Sequence, residues 1–324
     1  MKKQILITII IITTLLTPIS SYATDFNDTD VYDNSVKIIN IKNKDTINLK
    51  NNTLRLQEIK CDSIKIIGNN NIKKIDLVNS FAKKIKISKC SKLEKIEIYD
   101  IKSNEIKIEK CKNIKNIDVC TEERIKKLII QNNKKLKKLS TFPSWGKISQ
   151  IKLKNLKMLK YLDITGIPIK KIDLSKYRKL KYVYLSYCKI KKVKIGKKNC
   201  IREIDLSHNK IKKINIRVLK KAYNIDVSYN KLKGRLMLPR LIHADANEID
   251  CDNNKLKYII NPKNSCIWIL CCNHNKLKTI DLNNAWLDIL ESRKNPGVKV
   301  YYASINRKRG GKSTRYIKKY KEWD

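Results

Sequence analysis

The sequence predicts a curved, right-handed solenoid, with parallel β-sheet on its concave face and short extended segments on its convex side. Three observations lead there. Strand cores begin at 75, 96, 117, 139, 162, 183, 204, 225, 249 and 270, in steps of 21 to 24 residues. Self-similarity at such a period marks a repeat architecture. A second apolar pair falls midway in each turn, from Ile64/Ile66 to Ile214/Ile216, so every turn has two inward segments. A small polar residue also recurs after the strand core, at Asn209, Asn230, Asn254 and Asn275. Buried there, an amide side chain can satisfy backbone groups of its own coil and the next. One coil cannot bury its Ile side chains alone, but coils stacked ~4.8 Å apart join them into a continuous core.

The elements follow in chain order. Lys2 and Lys3, the uncharged stretch Ile5 to Leu16, Pro18 and the small-residue site Ser21-Tyr22-Ala23 predict a secretory signal peptide over 1–23, cleaved after Ala23. The protein is therefore expected to be secreted or held at the cell surface. That apolar stretch is short for a membrane span, and no later run approaches the ~18 residues a span needs. Residues 24–58 are read as a disordered, Asp-rich start and an N-terminal cap. The solenoid is placed at 59–302, with about ten to twelve turns, closed by Pro296-Gly297 and a strand at VKVYY. Residues 303–324 form a basic tail expected to be flexible.

Composition bounds the function. The chain has 324 residues, 73 Lys+Arg against 30 Asp+Glu, a net charge of +43, and 42% hydrophobic residues. That apolar share excludes a wholly disordered polyelectrolyte. With Gly at 8 and Pro at 6, it is neither collagen-like nor low-complexity. The excess of Ile, Lys and Asn can also arise from an AT-rich genome, so charge alone does not name a partner. Ten cysteines in an exported chain invite a disulfide framework. Yet Cys251 and Cys272 take inward strand positions, and Cys90, Cys111 and Cys188 take the places of the recurrent Asn. Buried free thiols are therefore expected there. Cys271, pointing outward, is read as the most reactive thiol.

The segments IREIDLSHNKIKKINI (201–216), AYNIDVSYNKL (222–232), NEIDCDNNKL and ILCCNHNKL follow L-x-x-L-x-L-x-x-N-x-L, with Ile often replacing Leu. This pattern resembles the short leucine-rich repeats of secreted bacterial proteins, internalin-like in general architecture, and LKYIINPKNSCIWILCCNHNKLKTIDL (256–282) matches nearly a whole unit. The resemblance covers about residues 59–302. It implies the fold and a recognition surface, and it names no activity. The first-half turns depart from it, carrying Ser80, Ile101 and Glu122 where Asn belongs, while Asn69, Cys90, Cys111 and Asn133 mark the other side.

Alternation along the strands places Asp163, Tyr184, Asp205, Asp226, Asp250 and Cys271 outward on the concave face. Gly166, Tyr187, His208, Tyr229, Asn253 and His274 follow as a second row. An acidic row beside an aromatic and imidazole row, in so basic a chain, predicts a ligand-binding face for an extracellular protein or glycan. The alternative is that Asp is only repeat consensus. A second candidate is a lysine stripe on the opposite side, Lys65, Lys86, Lys107, Lys152 and Lys194, joined by tail residues Arg307, Lys308 and Arg309, for an anionic cell-surface polymer. The stripe's bland counterpart is solubility, and a structural envelope role is a further alternative. Catalysis is not predicted. His208 and His274 lie three turns apart, ~14 Å by stacking, and no nucleophile stands at an activating spacing. Gly310-Gly311-Lys312-Ser313-Thr314 has Asn306 where a phosphate loop needs its first glycine. No cysteine or histidine spacing fits zinc, so neither a metal nor a cofactor is predicted.

Overall fold

The inward Ile and Leu residues stack into unbroken columns, and these columns set the architecture. The computed structural model describes residues 38–42, 52–141, 147–242, 247–282 and 286–301, all within one compact unit of residues 34–324. In chain order the strands are β1 (Ile38–Lys42), β2 (Thr53–Gln57), β3 (Lys60–Ile67), β4 (Lys74–Ser88), β5 (Lys95–Glu109), β6 (Asn116–Cys120), β7 (Ile125–Gln131), β8 (Lys138–Ser140), β9 (Ile151–Lys154), β10 (Tyr161–Asp163) and β11 (Lys171–Asp173). They continue as β12 (Tyr182–Tyr184), β13 (Lys192–Lys194), β14 (Glu203–Asp205), β15 (Asn224–Asp226), β16 (Lys233–Met237), β17 (Glu248–Asp250), β18 (Lys255–Ile260), β19 (Cys266–Cys271), β20 (Thr279–Asp281), β21 (Trp286–Glu291) and β22 (Lys299–Tyr301). Every pairing is parallel.

The first wall is a single ladder from β2 to β21. Its register aligns Leu54, Ile75, Ile96, Ile117, Leu139, Leu162, Val183, Ile204, Ile225, Ile249, Leu270 and Leu290, all buried. The ten sequence-derived starts all lie on this column, which continues one coil further at each end. The chain is thus a leucine-rich-repeat solenoid of parallel β-sheet with almost no helix. Short 3-10 turns at Leu174–Lys176 and Ile216–Val218 carry the chain round corners.

The second wall differs from the short segments expected. In the first half it is a full sheet: β1, β3, the later halves of β4 and β5, β7 and β9 pair in order. Strands β4 and β5 are 15 residues each and run through the corner between the walls. That is why Ser80 and Ile101 stand where the repeat would have Asn: no tight turn needs one there, while at Glu122 the chain bends between β6 and β7 and Thr121 Oγ1 accepts from the Glu123 N–H. The bend falls instead at Asn79 and Asp100, with φ of 43° and 48°. After β9 the second wall breaks into the pair β11–β13 and the group β16-β18-β20-β22. Around the β11–β13 pair the inward residues Ile172, Val193 and Ile214 are only partly buried, whereas Leu236, Ile259 and Ile280 of the later group are buried. Strands β1 and β2 pair in parallel with β3 and β4, so coil stacking begins before residue 59.

The Asn ladder has the predicted chemistry. Asn230 accepts from the Ile211 N–H of the preceding coil at 3.0 Å and donates to the Leu206, Val227 and Ser228 carbonyls. Asn209, Asn254 and Asn275 repeat this pattern, and Asn295 extends it by one coil. In the first half the ladder lies on the other wall, where Asn133 accepts from Cys111 N–H and donates to Ile108. Cys90, Cys111, Cys188, Cys251 and Cys272 are buried free thiols.

Candidate functional site

The outer face of the first wall changes character along the stack. In its first coils each carboxylate has a cation. Lys74 lies 3.0 Å from Asp76 and 2.5 Å from Glu97, Lys95 lies 2.6 Å from Glu97, and Lys138 lies 2.8 Å from Asp118. Burial alone would raise the Glu97 carboxyl, but hydrogen bonds from Lys74 and Lys95 and their charges outweigh it and bring it down to about 2. From β12 to β17 the cations are gone. Asp205, Asp226 and Asp250 stack in register, with Glu203, Asn224 and Glu248 beside them. Among the described residues no Lys or Arg makes an ion pair with any of these acids. With Tyr184 they line a shallow depression of about 190 Å³.

Part of this acidic row is local turn chemistry. Each Asp accepts the N–H two residues on: Asp163 from Thr165, Asp205 from Ser207, Asp226 from Ser228 and Asp250 from Asp252, at 2.8 to 3.1 Å. Such Asx turns end a strand tightly, so repeat consensus accounts for Asp at these positions. It does not account for the missing cations. Burial, then the charges of Asp226, Asp252 and Glu248, push the Asp250 carboxyl up to about 7. Burial, opposed in part by Ser228 hydrogen bonds, also raises Asp226.

Beside the carboxylates runs a stack of rings. Tyr187 and His208 have centroids 4.1 Å apart and planes 8° apart; His208 and Tyr229 follow at 4.2 Å and 10°. The spacing of the coils makes the stack, because each ring sits at the same turn position one coil on. All three occupy left-handed backbone, with φ of 57°, 53° and 50°, a conformation that is uncommon outside Gly and disfavours bulky side chains. Gly166, Asn253 and His274 share that position and that conformation. Backbone N–H groups tie the column down, Tyr187 to Ser207 and His208 to Ser228. Tyr187 and Tyr229 remain 45% and 50% exposed.

The structure brings together Tyr184, Asp205, Asp226 and Asp250, and separately Tyr187, His208 and Tyr229. It removes other predicted members. Asp163 is 7% exposed, too buried to meet a ligand. His274 lies three coils from His208, with Asn253 between it and Tyr229. The Cys271 thiol is pushed up to about 12 by burial and then by Glu291, Asp250 and Asp252, which keeps it protonated and unreactive. The lysine stripe is broken. Lys65, Lys86 and Lys107 stack in register, but the next position is the buried Ile129, then Lys152. Lys194 lies in the separate β11–β13 pair, beside Asp173, and Lys107 is paired with Glu109 at 2.9 Å. Arg307, Lys308 and Arg309 lie outside the described residues. Sequence reasoning missed Tyr161 and Tyr182, which precede the inward column. Tyr161 lies 6.3 Å from Tyr182 and 5.5 Å from Tyr184, tilted by 43° and 50°. The signal was present, since the residue before each inward position also faces outward.

No protein-family model and no curated protein matches the chain. Among solved structures it is similar to YopM from Yersinia enterocolitica WA-314, at 13% identity over 77% of this chain and 78% of that chain, with a TM-score of 0.31. It is also similar to TLR13, solved as a complex with ssRNA13, at 13% identity over 82% of this chain, with a TM-score of 0.23. The chain spans 56% of the TLR13 chain. The fold assignment rests on the stacked register and the Asn ladder, not on these likenesses.

Proposed function

We propose that the protein is an exported, non-catalytic recognition module whose ligand, an extracellular protein or glycan, binds the outer face of the first wall between β12 and β17. The observation that carries this reading is the exposed Tyr187–His208–Tyr229 stack, held in strained left-handed backbone beside carboxylates that have no cation. Turn-making explains Asp at a strand end, but Asn or Gly would suit the ring positions at lower conformational cost. Rigid aromatic surface next to unpaired charge is the chemistry of a binding hot spot. Non-catalytic use is supported by geometry: His208 is flanked by two tyrosine rings, and His274 is three coils away.

The test uses the mature chain as bait against extracellular proteins and a glycan array, followed by affinity measurement on the partner recovered. Tyr187→Ala with Tyr229→Ala should weaken binding at least tenfold, while exposed substitutions of this kind usually shift stability by within about 0.5 kcal/mol. Unchanged affinity with a folded double variant would move the site off this face.

A further inference from the structure

We propose that one edge of the solenoid is a binding ridge for single-stranded nucleic acid. The edge consists of the six successive connections that lead into the first wall, residues 110–115, 132–137, 155–160, 174–181, 195–202 and 216–223. Together they carry 18 Lys or Arg and not one Asp or Glu. Backbone hydrogen bonds put one position of each in register: Lys137 N–H donates to the Lys115 carbonyl, and Lys160, Lys181 and Arg202 continue the chain at 2.8 Å each. Cations therefore recur at this position in five successive coils, from Lys115 to Arg202, ~4.8 Å apart.

A general lysine bias does not explain this distribution. On the first coils of the wall beside it, Lys74, Lys95 and Lys138 each have a carboxylate. On the edge, among the described residues, only Lys115 has one, Glu94 at 2.8 Å. Acids are thus placed to neutralise the face and kept off the ridge. A row of like charges raises the energy of the free protein, and a linear polyanion relieves it while releasing its own counterions.

Aromatic rings select the class of polyanion. Tyr223 follows Arg202 in the same hydrogen-bonded line and is 38% exposed. Tyr161 and Tyr182 directly follow Lys160 and Lys181, tilted by 43° so that they do not seal each other's faces. A basic track that holds the backbone, bordered by rings on which bases stack, is how single strands are bound without sequence preference. Glu203 continues the Tyr161–Tyr182 column on the next coil and accepts from the Tyr223 hydroxyl at 3.2 Å, and Asp205 lies beyond it on the wall. Both repel phosphates from the wall and so hold the strand to the edge.

The experiment measures fluorescence anisotropy of the mature chain with a labelled oligothymidylate of about 20 nucleotides, an abasic phosphodiester of equal length and a heparin fragment of equal charge. Lys160→Ser/Lys181→Ser/Arg202→Ser is compared with Lys189→Ser/Lys210→Ser/Lys231→Ser, which removes the same charge from the opposite edge. We expect the first variant to lose at least tenfold and the second less than threefold. The salt slope of the first should fall by about 2, since each neutralised phosphate contributes ~0.7 in single strands. The abasic chain should bind at least tenfold more weakly than oligothymidylate. Equal losses in the two variants would overturn the ridge, and equal or tighter binding of the abasic chain or heparin would overturn the nucleic-acid assignment. Melting curves accompany each variant, and Gln at the same positions replaces Ser if one unfolds.

Discussion

Asn230 shows how much one buried side chain carries. It bonds four backbone groups across two coils. Asn230→Ala would leave the Ile211 N–H unmet, while the Leu206, Val227 and Ser228 carbonyls keep donors in Asn209, Asn254 and the His208 N–H. One buried group that stays unpaired costs ~1–3 kcal/mol. We expect a loss of about 2 kcal/mol, read from the urea midpoint; no measurable loss would contradict the ladder's role. Asp250 works in the opposite sense. Its folded carboxyl titrates at about 7, against ~3.9 in an unfolded chain. The folded state therefore binds more protons between those values, so this group's contribution to stability declines as pH rises from 4 to 7. Asp250→Asn keeps the acceptor for the Asp252 N–H and removes the titration. The variant should gain on the parent at pH 8 and not at pH 4, by denaturation at both. An equal gain at both pH values would remove the burial and charge argument.

At the scale of the element, the three-residue strands β10, β12, β14, β15 and β17 cannot hold themselves. Each is fixed by one inward residue between its neighbours above and below. Ile225→Ala, at 0% exposure, should cost ~2–5 kcal/mol through lost burial and the cavity left behind, and hydrogen exchange should quicken most in β14, β15 and β17. Burial is also why this level was legible in the sequence. The inward column from Ile75 to Leu270 admits only Ile, Leu or Val, so its period shows through the Lys and Asn around it. The long strands β4 and β5 were not legible, because a strand that rounds a corner keeps the same inward spacing as one that stops. Nor was the pairing of outward charges. Lys74 reaches Asp76 in its own coil and Glu97 in the next, while Asp205 lies in register between Tyr184 and Asp226 with no cation, and which side chains meet across coils depends on reach that the order of residues does not state.

For the whole molecule, charge is sorted by surface. The first wall is neutralised in its early coils and acidic in its later ones, the second wall carries Lys65, Lys86 and Lys107, and the six connections from 110–115 to 216–223 that lead into the first wall are basic. The ring stack was legible because Tyr187, His208 and Tyr229 recur at one turn position. Their left-handed backbone, which makes them costly and so informative, could not be read from letters alone. Raising salt from about 50 to 200 mM should therefore act differently on the two surfaces. Binding at the edge should weaken steeply through counterion release, while binding at the Tyr–His stack, resting on packing and hydrogen bonds, should change little. Equal salt slopes for an oligonucleotide and for the recovered protein or glycan would contradict that separation.

The central claim, that the ligand meets the first wall between β12 and β17, is tested most directly by footprinting. Carboxyl and tyrosine labelling of the mature chain, free and saturated with the partner recovered by affinity, should show protection at Tyr187, Tyr229, Asp205 and Asp226 and none around Lys65 and Lys86. Protection confined to the second wall, with the ring stack labelled equally in both states, would contradict it.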